Sequence, residues 1–304
     1  MSMIYAIGLL LVSIFVAWAG GHLFIQGVGG MRKMLRISGL TAGLLVASIS
    51  TSSPELFVGV SSAIRKIPEV SLGDVLGSNV VNIALIMGVF LLLSPKPIVA
   101  HTIRKKDVLI ACAAPILALL LSLDGMLSKV DGLILFAIFA LWLRWLIKED
   151  NVTPDDVEQK TGTLMYFGIG LAMLVVAGYT FTESANVLAK IFEMNLFIFS
   201  SIVVALGTSM PELVTSIIAI RTKQNDVAIG NLLGSNVFNS LGILGIVALI
   251  QPIPVSPLII LVPVVIAVIA TLVASRTTRS NMQMIGFILI GIYVLSLFSD
   301  VLFW

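Results

Sequence analysis

Two glutamates, Glu55 and Glu212, stand beside prolines inside apolar runs, in the stretches STSSPE (50–55) and GTSMPE (207–212). Each comes with a threonine and a serine just upstream: Thr51 and Ser52 in one, Thr208 and Ser209 in the other. Carboxylates and hydroxyls without any Cys or His make an all-oxygen donor set. Such sets suit hard cations; Ca²⁺ takes about six to eight oxygens at roughly 2.3–2.6 Å, whereas soft transition metals favour sulfur or imidazole. The prolines add to the set. A proline lacks the N–H that a helix needs and its ring collides with the preceding turn, so a helix running into Pro54 or Pro211 breaks there. The break is expected to free backbone carbonyls near Ser48–Ile49 and Ala205–Leu206. At membrane depth such carbonyls are tolerated only where they line a cavity or hold something.

A second pair of segments, GDVLGSNVVN and GNLLGSNVFN, supplies Ser78 and Asn82, and Ser235 and Asn239. The members of each pair are four residues apart and share a helix face. The Gly73/Gly77 and Gly230/Gly234 spacings let helix backbones approach closely. For these four polar residues, interhelical hydrogen bonding competes with cation binding as a role; for Asn79 and Asn236, on another face, hydrogen bonding between helices is the expected role. Ser52 and Ser209 are also placed to cap the half-helix that follows, with Glu55 and Glu212 at the capping-box position. Capping explains how that half-helix starts but not why it carries an acid, since a charge near mid-bilayer costs about 2.5 kcal/mol or more. Asp74 aligns with Asn231 and is expected at a helix end near water. His22 and His101 have no counterpart in the other segment and read as interfacial. Arg144 is expected to snorkel to the membrane face, and the lone Cys112, in an apolar run, reads as a small core or lipid-facing residue rather than half of a disulfide.

The elements that must hold these groups are membrane helices. Of 304 residues 58% are hydrophobic and only 11% charged, with a mean hydropathy of +1.10; soluble domains carry about 25% charged residues. Apolar runs of spanning length recur along the chain, which predicts an all-α polytopic membrane protein. Ten spans are expected, near 3–27, 37–64, 70–93, 107–123, 130–147, 163–188, 196–220, 227–250, 256–274 and 282–299. The first is read as a span rather than a signal peptide, having no basic leader and too long an apolar run. Residues 148–162, KEDNVTPDDVEQKTG, hold seven charges and a proline and read as a linker between halves 1–147 and 163–304. Fourteen of the 18 Lys and Arg fall on the linker's side of the ten-span layout. The excess predicts a cytoplasmic linker and extracellular termini. No basic patch suited to nucleic acid is present.

The two halves repeat. From Val46 and from Val203, thirty-seven residues align without a gap at a constant offset of 157, pairing Thr51 with Thr208, Ser52 with Ser209, Glu55 with Glu212, Ser78 with Ser235 and Asn82 with Asn239. Five spans separate the copies, so the second enters the membrane upside down relative to the first. Inverted repeats with broken helices, here the second and seventh spans, and a midplane site are the signature of secondary transporters.

The paired G-T-S-x-P-E and G-S-N-x-x-N segments in inverted five-helix halves resemble the alpha repeats of the sodium/calcium exchangers, within the calcium/cation antiporter superfamily. The resemblance implies a single pathway used alternately by Ca²⁺ and a driving ion. It also implies that Glu55 and Glu212 are the central acids, Thr51, Ser52, Thr208 and Ser209 hydroxyl ligands, and Ser78, Asn82, Ser235 and Asn239 flanking ligands. Repeat one departs from the family's A-x-G-T-S, carrying Ser48 and Ser50 where small apolar residues are usual; repeat two keeps it, with Ala205 matching Ser48. Asn239 stands where some prokaryotic sodium exchangers have Asp. Two carboxylates can be neutralised by one Ca²⁺, two protons or Na⁺ ions, so the counter-ion, Na⁺ or H⁺, stays open at this level. The expected protein is a Ca²⁺/cation antiporter, not an enzyme. It needs no cofactor and works as a monomer in the lipid bilayer. The alternatives are a cation channel, whose filter would form around an open pore, and an intramembrane hydrolase, for which no nucleophile and base accompany the acids.

Overall fold

A computed structural model describes residues 3–94, 104–149, 164–191 and 200–302. The middle of the expected linker, the prolines at 95 and 97, and His101 lie outside the described residues.

The described residues are helical almost throughout. In the first half, α1 spans Met3–Leu35, α2 Gly39–Thr51 and α3 Ser53–Ile64, α4 Glu69–Leu93, α5 Lys105–Leu121 and α6 Lys129–Glu149. In the second, α7 spans Leu164–Ile191, α8 Ser201–Thr208 and α9 Met210–Arg221, α10 Asn225–Ile250, α11 Pro257–Ala274 and α12 Met282–Leu302. By length and composition, four of these helices can each cross a bilayer, six if each bent pair α2–α3 and α8–α9 is one span; the apolar segments Leu164–Ala177, Ile260–Ala274 and Met282–Leu297 are shorter.

The breaks fall where the prolines put them. Pro54 and Pro211 occupy the first turn of α3 and α9, where a missing N–H costs nothing. The joint residues Ser52 and Ser209 leave helical geometry, at ψ 18° and 6°. The segments meet at bends of 44° and 47°. The following helix ends also match. Lys66 and Lys223, 157 apart, both take a left-handed φ, 59° and 60°. Each closes its helix with a pair of back-bonds, Ile67 N–H to Ser62 O with Lys66 N–H to Ala63 O, and Gln224 N–H to Ala219 O with Lys223 N–H to Ile220 O. That is a helix stop of the Schellman type with lysine in the place glycine usually takes.

Periodicity did not reveal the four π-helical stretches among the described residues, Ala42–Ala47 and Val81–Ile86 in one half, Ser200–Val204 and Phe238–Ile243 in the other. They too recur at the 157 offset. In three of them the closing N–H reaches five residues back: Ser48 to Gly43 O, Met87 to Asn82 O and Leu244 to Asn239 O. Two stretches lead directly into Ser48 and Ala205, and the other two contain Asn82 and Asn239. Such turns are rare and gather at functional sites.

Burial separates the centre from the periphery. The apolar windows of α4 and α10 are 83% buried, against 31% for α1 and 28% for α6; the GSN helices form the middle, and α1 and α6 face outward. Close backbone approach explains the glycines at the centre. A Cβ on Gly77 would lie 2.1 Å from Ser201 O, and one on Gly230 2.4 Å from Leu40 O, distances no side chain tolerates. Each GSN helix therefore seats against the broken helix of the opposite half. A short antiparallel pairing of Met126–Leu127 with Ile253–Pro254 joins the two halves at one end.

Candidate cation site between the broken helices

The joints of the two broken helices face each other across the centre, and their serine and threonine hydroxyls bond to side chains of the opposite repeat. The Ser52 hydroxyl donates to Glu212 Oε1 at 2.8 Å, and Ser235 donates to the same oxygen at 3.2 Å. Ser52 and Ser235 oxygens are 3.0 Å apart. In the mirror position Ser209 donates to Glu55 Oε1 at 3.4 Å. Thr51 donates to Asn231 Oδ1 at 3.0 Å, and its mate Thr208 donates to Asp74 Oδ1 at 2.8 Å. Ser78 lies 3.3 Å from the Thr208 hydroxyl. The two glutamates, the two threonines and Ser52, Ser78 and Ser235 are fully buried, and Ser209 is 1% exposed.

Three expectations are corrected. Neither Ser52 nor Ser209 caps the helix it precedes; each hydroxyl instead donates to the opposite repeat's glutamate, where the acceptor is a carboxylate. The carbonyls of Ser48 and Ala205 are not freed by the break: they accept the Ser52 and Ser209 N–H groups, both at 3.0 Å. The carbonyls that lose a partner are those four residues before each proline, Ser50 and Gly207; the Ser53 hydroxyl covers Ser50 O at 2.7 Å, and Met210, its mate, has none to offer. Asp74 is not near water. It is fully buried, in the same layer as Thr208 and Ser78.

Asn82 and Asn239 are fully buried as well. Asn82 donates to Asn236 Oδ1 at 3.2 Å, leaving its own oxygen without a partner, and neither amide atom of Asn239 has one. Asn79 and Asn236 bond between helices as expected, Asn79 Nδ2 to Ser240 Oγ at 2.8 Å and Asn236 Nδ2 to Asn79 O at 3.1 Å. The Ser48 hydroxyl turns back to Leu44 O at 2.5 Å. His22, exposed beside Trp18 on α1, and exposed Arg144 stand apart from this centre; Cys112 is buried.

Buried polar atoms in native structures are nearly always partnered. Here Glu55 Oε2, Glu212 Oε2, Asp74 Oδ2, Asn82 Oδ1 and both amide atoms of Asn239 are not. Among the described residues no three His, Cys, Asp or Glu side chains converge on a single metal position. The unpartnered atoms gathered here are mostly carboxylate and amide oxygens among hydroxyls, a donor class that suits a hard ion.

The family model for the sodium/calcium exchanger protein matches residues 5–148 and again 162–301. The chain belongs to the sodium/calcium exchanger family. Among curated relatives of this exchanger, the inner membrane protein YrbG of Escherichia coli is 30% identical over 252 residues, covering 78% of this chain and 77% of that protein. The putative antiporter CaxA of Alkalimonas amylolytica is 28% identical, covering 76% of each. A solved structure of the sodium-calcium exchanger NCX_Mj, soaked with 2.5 mM Na⁺ and 0.1 mM Ca²⁺, superposes with a TM-score of 0.81 at 26% identity, covering 97% of this chain and 98% of that one. The exchanger is thus a multi-pass, all-helical membrane protein of inverted repeats with two broken helices, and a cation/Ca²⁺ antiporter by family.

Proposed function

We propose that the exchanger moves Ca²⁺ against Na⁺ by alternating access, binding both at the cluster between the two broken helices. The observation that carries the reading is the reciprocal bonding of each repeat's hydroxyls to the other repeat's acids, with an oxygen of each acid left free. In this reading Glu55 and Glu212 neutralise Ca²⁺. Thr51, Thr208, Ser52 and Ser209 supply hydroxyl oxygens, Ser78, Ser235, Asn82 and Asn239 flank them, and Ser48 and Ala205 contribute the second lone pair of their carbonyls. Na⁺ is favoured over H⁺ by the number of polar groups around the two glutamates, since a two-proton exchange would need only the acids. The NCX_Mj and MaX1 exchangers, similar to this chain, carry sodium and calcium in their names. The halves 1–147 and 163–304 then act as the two inverted units, with the linker 148–162 cytoplasmic, both termini extracellular, and a monomer as the working form in the bilayer.

The test is Ca²⁺ uptake into proteoliposomes under outward Na⁺ or H⁺ gradients imposed separately. Uptake driven by Na⁺ alone is expected. Uptake driven only by H⁺ would replace the counter-ion, and Ca²⁺ conductance with neither gradient would replace the antiporter by a channel.

A further inference from the structure

Two asparagines of α4, Asn79 and Asn82, meet two of α10, Asn236 and Asn239, and all four are at most 1% exposed. Three bonds run through them in series. Asn82 Nδ2 donates to Asn236 Oδ1 at 3.2 Å, Asn236 Nδ2 donates to the backbone oxygen of Asn79 at 3.1 Å, and Asn79 Nδ2 donates to Ser240 Oγ at 2.8 Å. An amide side chain offers donors at one end and an acceptor at the other, and a cation takes only the acceptor. Asn82 has its donor end engaged, and its oxygen is buried without a partner among the described residues. It is therefore held the way round that a cation requires.

The repeat predicts the same arrangement for Asn239, and the structure lacks it. At the 157 offset, the mirror of the bond from Asn82 to Asn236 is one from Asn239 Nδ2 to Asn79 Oδ1. Both of those atoms are buried and neither has a partner among the described residues. The difference has a source in the sequence: Ser240 stands where repeat one has Ile83. The Ser240 hydroxyl takes the amide of Asn79. Asn236, with an isoleucine at the matching place, donates to the Asn79 main chain instead. Asn236 is thus anchored on a backbone oxygen and in turn holds Asn82, while neither end of the Asn239 amide is held.

We infer that Asn236 is a positioning residue, which fixes the Asn82 amide with its oxygen free for Ca²⁺ and does nothing comparable for Asn239. The inference rests on the antiporter reading above, in which Asn82 flanks the ion. Both polar atoms of Asn236 are engaged, so it acts through Asn82 rather than on the ion. Its anchor is main chain, so the hold on Asn82 does not depend on Ser240. The two flanking amides therefore come to the site unequally prepared, one already oriented and the other not.

The experiment is equilibrium binding of radioactive Ca²⁺ to the purified full-length protein in nanodiscs, with choline in place of Na⁺, beside thermal unfolding without Ca²⁺. Asn236→Ala should weaken half-saturation about tenfold, the lower end of what losing an orienting partner of a metal ligand costs. Two double variants separate positioning from packing. With Asn82→Ala already in place, Asn236→Ala should add less than about twofold, because residues that act through one another are not additive. With Asn239→Ala in place, it should again cost about tenfold. Asn236→Leu, which has the same heavy-atom branching as asparagine, carries the same comparison where the cavity left by alanine impairs folding. An unchanged affinity in these Asn236 variants, with only a lower unfolding midpoint, would make Asn236 a helix contact and overturn the inference. A loss of equal size that persists without the Asn82 amide would overturn it too. If Asn82→Ala itself leaves Ca²⁺ binding unchanged, the flanking role of Asn82 fails first and takes the inference with it. A wild type that binds no Ca²⁺ overturns the antiporter reading itself.

Discussion

The two GSN helices, α4 and α10, are equally central and are matching copies within the repeat, yet the glutamates of their two halves are bonded differently. Glu212 accepts two hydroxyl bonds on one oxygen, from Ser52 and Ser235 at 2.8 and 3.2 Å. Glu55 accepts one long bond, from Ser209 at 3.4 Å. Ser78, the mate of Ser235, lies against Thr208 instead of Glu55, and Thr208 is itself turned to Asp74. Thr208 to Asp74 mirrors Thr51 to Asn231, so the difference between the two halves lies in Ser78, which sits against Thr208 where Ser235 sits against Glu212. An inverted repeat gives both faces of a transporter the same backbone; a few side-chain differences then decide how firmly each face holds its ion.

The strongest way to break this comparison is to remove either acid. Glu55→Gln and Glu212→Gln should each lower Ca²⁺ uptake about 100-fold or more, because stripping one charge from a buried charge pair costs about 3–5 kcal/mol and each ~1.4 kcal/mol is tenfold. Radioactive Ca²⁺ uptake in proteoliposomes reads this directly. If only one of the two variants is crippled, the acids are not equivalent ligands, and the midplane site belongs to one repeat.

A sharper probe sets Ser52→Ala against Ser209→Ala. Hydrogen bonds to charged groups are worth about 1.5–3 kcal/mol, so losing the 2.8 Å bond to Glu212 should weaken half-saturation by Ca²⁺ about tenfold or more. The 3.4 Å contact to Glu55 lies beyond good hydrogen-bond geometry, and its loss should cost about threefold or less, under ~1 kcal/mol. Equal effects would mean that both serines contact the ion itself, and that their bonds to the acids are secondary.

Much of this centre was legible from residue types and spacing. The proline positions marked the breaks, and the constant offset with five spans between the copies marked the inversion; the motifs' lack of Cys and His is what leads to the proposed class of ion. What spacing could not show is where a hydroxyl points once it has two candidate partners. Ser52 has a capping position within its own helix and a carboxylate across the repeat, and only the packing of α2 and α3 against α9 and α10 decides between them. Asp74 was misplaced for a related reason: an acid in the second turn of a helix resembles one that favours the helix dipole near solvent. Nothing in the linear sequence says that Gly77, three residues on, draws that helix to within backbone contact of α8. The π-helical turns escaped because hydrophobic periodicity near four residues per turn barely differs from the α-helical one over a single turn. A signal was present all the same: Asp74 stands against Asn231 and Val58 against Thr215 in the aligned repeats.

The smallest expected effect separates packing from transport. Ser240 has no polar counterpart in repeat one, where Ile83 stands, and it accepts the Asn79 amide at 2.8 Å. Ser240→Ala leaves that buried N–H without an acceptor, a cost of about 1–3 kcal/mol, which thermal unfolding in nanodiscs should register as a lower midpoint. Half-saturation by Ca²⁺ should stay within about twofold, under ~0.5 kcal/mol, since Asn79 faces the opposite GSN helix rather than the glutamates. The reverse pattern, a tenfold loss of Ca²⁺ affinity at unchanged stability, would move Asn79 from the helix contact into the ion pathway.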